Sequence, residues 1–362
     1  MNTTQRVRRA GLATVAALVI GGGGVAIGAA ATDSSASGTL AAATATATPG
    51  PATSTVPGPA SYASVVRQVL PSVVLIRTEN GLGSGVVLDT KGNIVTNAHV
   101  AGDATRFQVQ VAGDTAPRSA KLVGTYPPDD LAVIRADDPS GLQPATFGDS
   151  GKVQAGDVVL AIGNPLGLSG SVTQGIISAT DRAVTEPATD GSPAATLPGA
   201  IQTSAPINPG NSGGALVSTS GQVVGIPTLA AGSPQGGGQA QGIGFAIPSN
   251  LARDIATQII DTGHVTNSHR AAIGAEVATV LGPDGTAGGV GVVAVTSGGG
   301  AERAGLRAGD VITAVAGAQT TDTTALSQAL AAAKPGDTIT VTISRDGQDR
   351  SVQVTLGELP GS

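Results

Sequence analysis

The 362-residue chain predicts a mainly β protein, and three observations point there. Short apolar, β-branched runs recur between residues 73 and 226, each cut off by Gly, Pro, Asn or Asp, as in strands joined by tight turns. Aromatic residues are scarce, with three Phe, two Tyr and no Trp, so the core must be built from Val, Ile, Leu and Ala. Helical periodicity is confined to a few short segments downstream of residue 61.

At the amino end, Arg6, Arg8 and Arg9 precede Gly11 to Ala31, a stretch without a charged residue. Positive charge before an apolar run predicts an N-in orientation and export of the downstream chain. The uncharged span exceeds the usual signal-peptide core, which favours a retained single-pass membrane anchor over cleavage after Ala29-Ala30-Ala31 and release. Residues 1–31 are therefore read as the signal or anchor segment. Residues 32–60, rich in Ala, Thr, Ser, Pro and Gly, cannot bury enough apolar area to fold and read as a flexible tether, reaching about 30 Å as a coil.

A short helix is expected over Tyr62 to Leu70, ended by Pro71. Strands are expected at Val73–Ile76, Val86–Leu88, Ile94–Thr96, Phe107–Val111, Leu131–Ile134, Val158–Leu160, Val172–Ile177 and Val223–Ile226. Leu251, Ile255, Ala256 and Ile259 share one face of a further helix, with Ser249 able to cap its start and Gly263 its end. Thr185 to Pro198 reads as a disordered or activation loop, and Ser233 to Gly238 as a mobile loop. Together these elements make residues 61–262 one domain.

The net charge of -6, without a basic patch, argues against nucleic acid as a partner. The absence of cysteine excludes disulfides and thiolate metal sites, and His264 and His269, in a polar connection, have no third ligand nearby in sequence, so no metal or cofactor is expected. Gly81-Leu82-Gly83-Ser84-Gly85 lacks the Lys-Ser/Thr and the helix that a phosphate loop needs.

The chemistry-bearing segment is Ile207-Asn208-Pro209-Gly210-Asn211-Ser212-Gly213-Gly214. A serine hydroxyl becomes a nucleophile when a base takes its proton and backbone N–H groups hold the oxyanion formed on attack. Glycines on both sides of Ser212 let the backbone aim such N–H groups. Of three histidines, His99 comes after a strand-like run and is the favoured base, while His264 and His269 lie in the polar connection. A carboxylate that orients the imidazole comes from Asp130, which opens Asp130-Leu131-Ala132-Val133-Ile134, with Asp129 as its rival. Gly148-Asp149-Ser150-Gly151 is a competing serine motif, but Lys152 comes after it rather than glycine, and it reads as a turn into the next strand.

Thr96-Asn97-Ala98-His99-Val100, Asp130-Leu131-Ala132-Val133 and Gly210-Asn211-Ser212-Gly213-Gly214 occur in the order His, Asp, Ser. On these the chain resembles the HtrA (DegP/DegS-like) family of trypsin-like serine proteases, helped by Gly83-Ser84-Gly85-Val86-Val87, Ala161 to Gly167 and Gly242 to Pro248. The resemblance implies two six-stranded antiparallel β-barrels with the active site between them. It implies Ser212 as nucleophile, His99 as general base and acid, Asp130 as the orienting carboxylate, and Gly210 and Ser212 N–H groups as the oxyanion hole. Ile243, Gly244 and Phe245 would line the S1 pocket and pair with the substrate backbone, favouring small or medium apolar P1 residues. The segment before the nucleophile departs from the family pattern at Ser204 and Pro206.

Residues 271–358 resemble the PDZ domain typical of HtrA proteases, on Ile273-Gly274, Ala304 to Ile312, the helix near Thr323 to Ala333, and Val341 to Gly347. Such a domain takes a peptide carboxyl terminus as an added strand, its carboxylate held near Ile273, Gly274 and Ala275. The implied function is a serine endopeptidase that cleaves unfolded or misfolded proteins in the cell envelope, assembled as a trimer-based homo-oligomer. The alternative is an envelope chaperone or peptide-binding protein with minor or dormant proteolysis.

Overall fold

A computed structural model describes residues 61–360, apart from 80, 115, 165–169, 187–194, 209, 233–238 and 283–284. The expected anchor, the tether and the loop at 233–238 lie outside the described residues. Among those described, no helix is long and apolar enough to cross a membrane.

Helix α1 (Tyr62–Val69) is capped by Ser61, whose side chain accepts from Ser64 N–H, and it buries Val65 and Val69. Six strands then close into a barrel: β1 (Val73–Arg77), β2 (Leu82–Val87), β3 (Asn93–Thr96), β4 (Arg106–Val111), β5 (Arg118–Tyr126) and β6 (Leu131–Ala136), in the order β1-β2-β3-β6-β5-β4. A single helical turn, α2 (Ala98–Ala101), leaves β3. The second barrel comprises β7 (Val158–Gly163), β8 (Ser171–Glu186), β9 (Ala195–Thr203), β10 (Ala215–Ser218), β11 (Val223–Gly232) and β12 (Gln239–Pro248). Its closed order, β10-β11-β12-β9-β8-β7, repeats the topology of the first.

Several strands serve two cores at once. On β6, Ala132 and Ile134 point into the first barrel, while Leu131 and Val133 join a layer between the barrels. On β7, Val159 and Ala161 fill the second barrel, and Leu160 and Ile162 meet that same layer. Strands buried on both faces read as unbroken apolar runs rather than alternating ones.

Helix α3 (Ser249–Thr262) covers this layer with Ile255 and Ile259 and ends at Gly263 in the left-handed conformation. Ser249 does not cap it: its hydroxyl is buried and donates to the Gly148 carbonyl at 2.8 Å. The loop expected over Thr185 to Pro198 is corrected at its two ends, since β8 runs to Glu186 and β9 starts at Ala195, with Val184 opposite Leu197, while 187–194 lie outside the described residues. Their pairing extends this hairpin well beyond the body of the barrel strands.

The carboxyl-terminal part holds β13 (Ala271–Ala272), β14 (Ala275–Leu281), β15 (Ala287–Val295), the short α4 (Gly300–Arg303), β16 (Val311–Val315), β17 (Ala318–Gln319), α5 (Thr323–Leu330), β18 (Thr338–Arg345), β19 (Gln348–Thr355) and β20 (Gly357–Glu358). Strand β13 pairs with β20, and the larger sheet runs β14-β15-β16-β18-β19, so β14 is an edge strand. Leu326 of α5 packs on Val290, Ile312, Val341 and Ile343 of that sheet. This is the arrangement expected of a PDZ domain.

Candidate active site

The two barrels divide the expected site residues. His99 sits in α2, one turn after β3, and Asp130 sits where the 3₁₀ turn Pro127–Asp129 enters β6. Asp130 takes left-handed backbone angles, φ 51° and ψ 44°, which turn its carboxylate toward α2. Its Oδ1 accepts from the backbone N–H of His99 at 2.9 Å, and its Oδ2 lies 2.8 Å from His99 Nδ1. Asn97 Nδ2 and Ala98 N–H both donate to the Asp130 carbonyl, at 3.0 and 3.1 Å. A carboxylate facing Nδ1 draws the proton of a neutral imidazole to that nitrogen and leaves the lone pair on Nε2.

Asp129, the rival, faces the other way. Its carboxylate is fully buried and lies 3.1 Å from Arg270 Nη1, a guanidinium that also donates to the Pro128 carbonyl at 2.6 Å. Burial pushes its pKa up to about 6, with Arg270 pulling against that rise. Adjacent carboxylates thus have separate tasks, one toward the imidazole and one toward the chain that leads to the PDZ-type sheet.

Ser212 comes from the second barrel, in the turn that enters β10. Gly213 holds a φ of +78° and donates to the Pro227 carbonyl at 2.9 Å, while Asn211 N–H closes the turn on Asn208 at 3.0 Å. Gly210 has a φ of +106°. The first barrel grips this turn through Ser84 of β2, whose N–H donates to the Ser212 carbonyl at 2.9 Å and whose hydroxyl donates to the Gly210 carbonyl at 2.5 Å.

Thr228 of β11 was not evident in the sequence. Its hydroxyl donates to Asp130 Oδ2, and its carbonyl accepts from Ser212 Oγ at 3.2 Å. One residue thereby touches both the carboxylate and the serine, 98 and 16 positions away. Ser150, the decoy, lies in a 3₁₀ turn where its hydroxyl accepts from Asn250 N–H at 3.1 Å.

Of the residues expected to pair with substrate, Ile243, Gly244 and Phe245, the last two are taken by neighbouring strands. Gly244 already pairs with Ala230 of β11 and Thr203 of β9, and Phe245 with Leu229 and Gln202, so β12 offers no free edge there. Ile243 is partly exposed and Phe245 is buried in the layer between the barrels. Among the described residues the segment of β11 beyond Gly225 pairs with β12; on its other side the Pro227 carbonyl takes the Gly213 N–H and the Thr228 carbonyl takes Ser212 Oγ, and no strand pairs with it there.

Ile273, Gly274 and Ala275 lie at the start of β14, and Gly274 holds a φ of +78°. A cavity of about 180 Å³ opens between Ile273, Ala275 and Val277 on one side and Leu326 and Leu330 of α5 on the other. His269, Arg270 and Pro198 reach its rim. Gln328 of α5 donates to Thr185 Oγ1 at 2.9 Å, so the groove helix rests on the β8–β9 hairpin.

Two antiparallel six-stranded barrels with His, Asp and Ser at their junction define a trypsin-like serine peptidase. The trypsin-like peptidase domain family matches residues 83–226, and the PDZ domain family matches residues 265–356. Serine protease PepD of Mycobacterium tuberculosis is 39% identical over 319 residues, which span 83% of this chain and 67% of that protein. Serine endoprotease DegS of Salmonella typhimurium is 37% identical over 325 residues, spanning 85% of this chain and 89% of its own. A solved serine endoprotease from Yersinia pestis is 38% identical, with a TM-score of 0.54 over 83% of this chain and 99% of that one. The chain belongs to the HtrA family of PDZ-bearing serine proteases and is a serine-type endopeptidase; the reading as an envelope chaperone or peptide-binding protein with minor or dormant proteolysis is not favoured.

Proposed function

We propose that Ser212 is the nucleophile, His99 the general base and acid, and Asp130 the carboxylate that orients the imidazole, within a catalytic domain at residues 61–262. The observation that carries this reading is the 2.8 Å contact between His99 Nδ1 and Asp130 Oδ2, made on the barrel opposite the serine turn. Nε2 takes the Ser212 proton as Oγ attacks the scissile carbonyl, and later gives it to the leaving amine. Asp130 stabilises the imidazolium formed between those steps. Gly210 and Ser212 N–H groups receive the oxyanion. A substrate strand pairs along the strand-free side of β11 near Thr228, and Ile243 stands beside it on β12.

Ser212 Oγ lies 3.2 Å from the Thr228 carbonyl, on the residue whose hydroxyl reaches Asp130, which supports one connected serine–aspartate cluster. The edge strand β14, with a groove against α5, supports capture of peptide carboxyl termini by a PDZ domain at residues 271–358. Relatives named as periplasmic endoproteases, DegQ and DegP of Escherichia coli, and the apolar amino segment support an exported, N-in anchored enzyme acting on unfolded or misfolded polypeptides. Trimer-based assembly rests on the family likeness.

Ser212→Ala lowers kcat on casein by about six orders of magnitude when the three residues act as a unit. Undiminished cleavage by that variant would end this reading. Mass spectrometry of the mature amino terminus decides between anchor and cleaved signal, a start near Thr32 refuting the anchor.

A further inference from the structure

Ser84 is a polar residue at a place where packing alone asks for none. It lies in the middle of β2, fully buried, in a strand whose neighbours Val86 and Val87 face apolar cores. A buried hydroxyl without partners costs stability, so its bonds identify its task. There are two of them. Asn164 N–H, at the end of β7, donates to Ser84 Oγ at 2.8 Å. An oxygen that accepts there still has one proton to give, and the Gly210 carbonyl, 2.5 Å away, receives it.

The main chain of Ser84 tightens the same grip. Its N–H donates to the Ser212 carbonyl at 2.9 Å, and its carbonyl accepts from Thr96 Oγ1 at 2.7 Å, two residues before the turn that carries His99. The Gly210 carbonyl is thus held by Ser84, and the Ser212 carbonyl as well, on either side of Asn211. On the far side of Gly210, Gly163 has no side chain, and a Cβ there would overlap the Gly210 carbonyl.

Gly210 needs such a hold because glycine at a φ of +106° has other conformations open to it at little cost. Peptide planes on either side of a glycine rotate easily, and a rotated plane would swing an oxyanion donor away from the substrate. Fixing the Gly210 carbonyl locks the peptide plane between Gly210 and Asn211, so the Gly210 N–H is left with rotation about a single bond, and it adds no group that touches the substrate.

We infer that Ser84 is a positioning residue for catalysis: its hydroxyl holds the Gly210 carbonyl so that the turn presents its N–H groups to the oxyanion. This rests on the assignment of Ser212 as nucleophile and of the Gly210 and Ser212 N–H groups as oxyanion donors. The role belongs to the tetrahedral stage, since the Ser84 hydroxyl bonds the Asn164 N–H and the Gly210 carbonyl of the serine turn.

The test compares full-length wild type, Ser84→Ala and Ser212→Ala on a fluorogenic peptide, with active sites counted by fluorophosphonate titration. It also compares the affinity of a peptide boronate, which forms a tetrahedral adduct on Ser212, with that of the same peptide ending in a plain amide. Ser84→Ala is expected to lower kcat by about tenfold to a hundredfold and boronate affinity by a similar factor. KM and amide-peptide affinity stay within about twofold of wild type, and the pH midpoint of kcat/KM stays in place.

Wild-type kcat and boronate affinity in Ser84→Ala overturn the inference. So does a parallel loss of boronate and amide-peptide binding, which marks general damage. Should Ser84→Ala fail to accumulate as folded protein, Ser84→Gly removes the same hydroxyl and faces the same criteria. If Ser212→Ala retains turnover, the nucleophile assignment fails, an outcome separate from any result at Ser84.

Discussion

Arg270 donates to the Pro128 carbonyl and pairs with Asp129, so the residue just before β13 is bolted to the turn that delivers Asp130 to His99. Asp129 is fully buried, and Arg270 nearly so. The link therefore joins the PDZ-bearing part to the Asp130 carboxylate through one main-chain step.

This pair predicts a pH-dependent stability. The folded-state pKa of Asp129, about 6, lies above its ordinary value of 3.8, because burial penalises the carboxylate. A raised carboxyl pKa contributes stability that is fully present below about pH 4 and is lost as pH rises through about 6. Arg270→Ala removes the cation that offsets the buried charge. It should destabilise the fold by about 3 kcal/mol at pH 8 and by clearly less at pH 5, where Asp129 takes a proton. Thermal melts at the two pH values check this, and Asp129→Asn in the same background should restore most of the loss.

Thr228 should matter through its hydroxyl. Thr228→Val removes the donor to Asp130 while keeping the strand and its carbonyl, and should lower kcat/KM by about tenfold, the worth of one bond to a charged group. Thr228→Ser retains the donor and should stay within about twofold of wild type. Equal rates for the Val and Ser variants would show that the contact to Asp130 is without consequence.

Gly213 should tolerate no side chain. Its φ of +78° disfavours any other residue, and a Cβ would overlap the Ser84 carbonyl and Thr96 Oγ1. Gly213→Ala should cost about 3 kcal/mol or more in urea unfolding and abolish peptidase activity, since relief of the overlap moves the serine turn away from β2.

The barrel strands were legible where both faces are buried, as in Val73–Ile76, Leu131–Ile134 and Val158–Ile162, because two cores leave an unbroken apolar run. Strand β5 was not, since Arg118, Lys121 and Thr125 break the run on a half-exposed face. Strand β9 carries Pro198 and Gly199, both ordinary signs of a loop, and its pairing with β8 comes from tertiary context. His99, Asp130 and Ser212 could be picked out from local motifs and their order. Sequence left Asp129 beside Asp130 as a rival, and only the left-handed turn at 130 separates their directions. Thr228 had no such mark, and Ser84 stood only within a glycine motif that gave it no task, because each acts across contacts spanning 98 and 126 positions.

The proposed catalytic groups are dealt between two barrels, with His99 and Asp130 on the first and Ser212 and its neighbour Thr228 on the second. A growing polypeptide is made amino end first, so the histidine–aspartate half is complete long before its serine exists. Until residue 228 has emerged and β7–β12 have closed, the nascent chain has no means of cutting a neighbour or itself. Division of the proposed site between barrels thus ties proteolytic competence to completion of the fold.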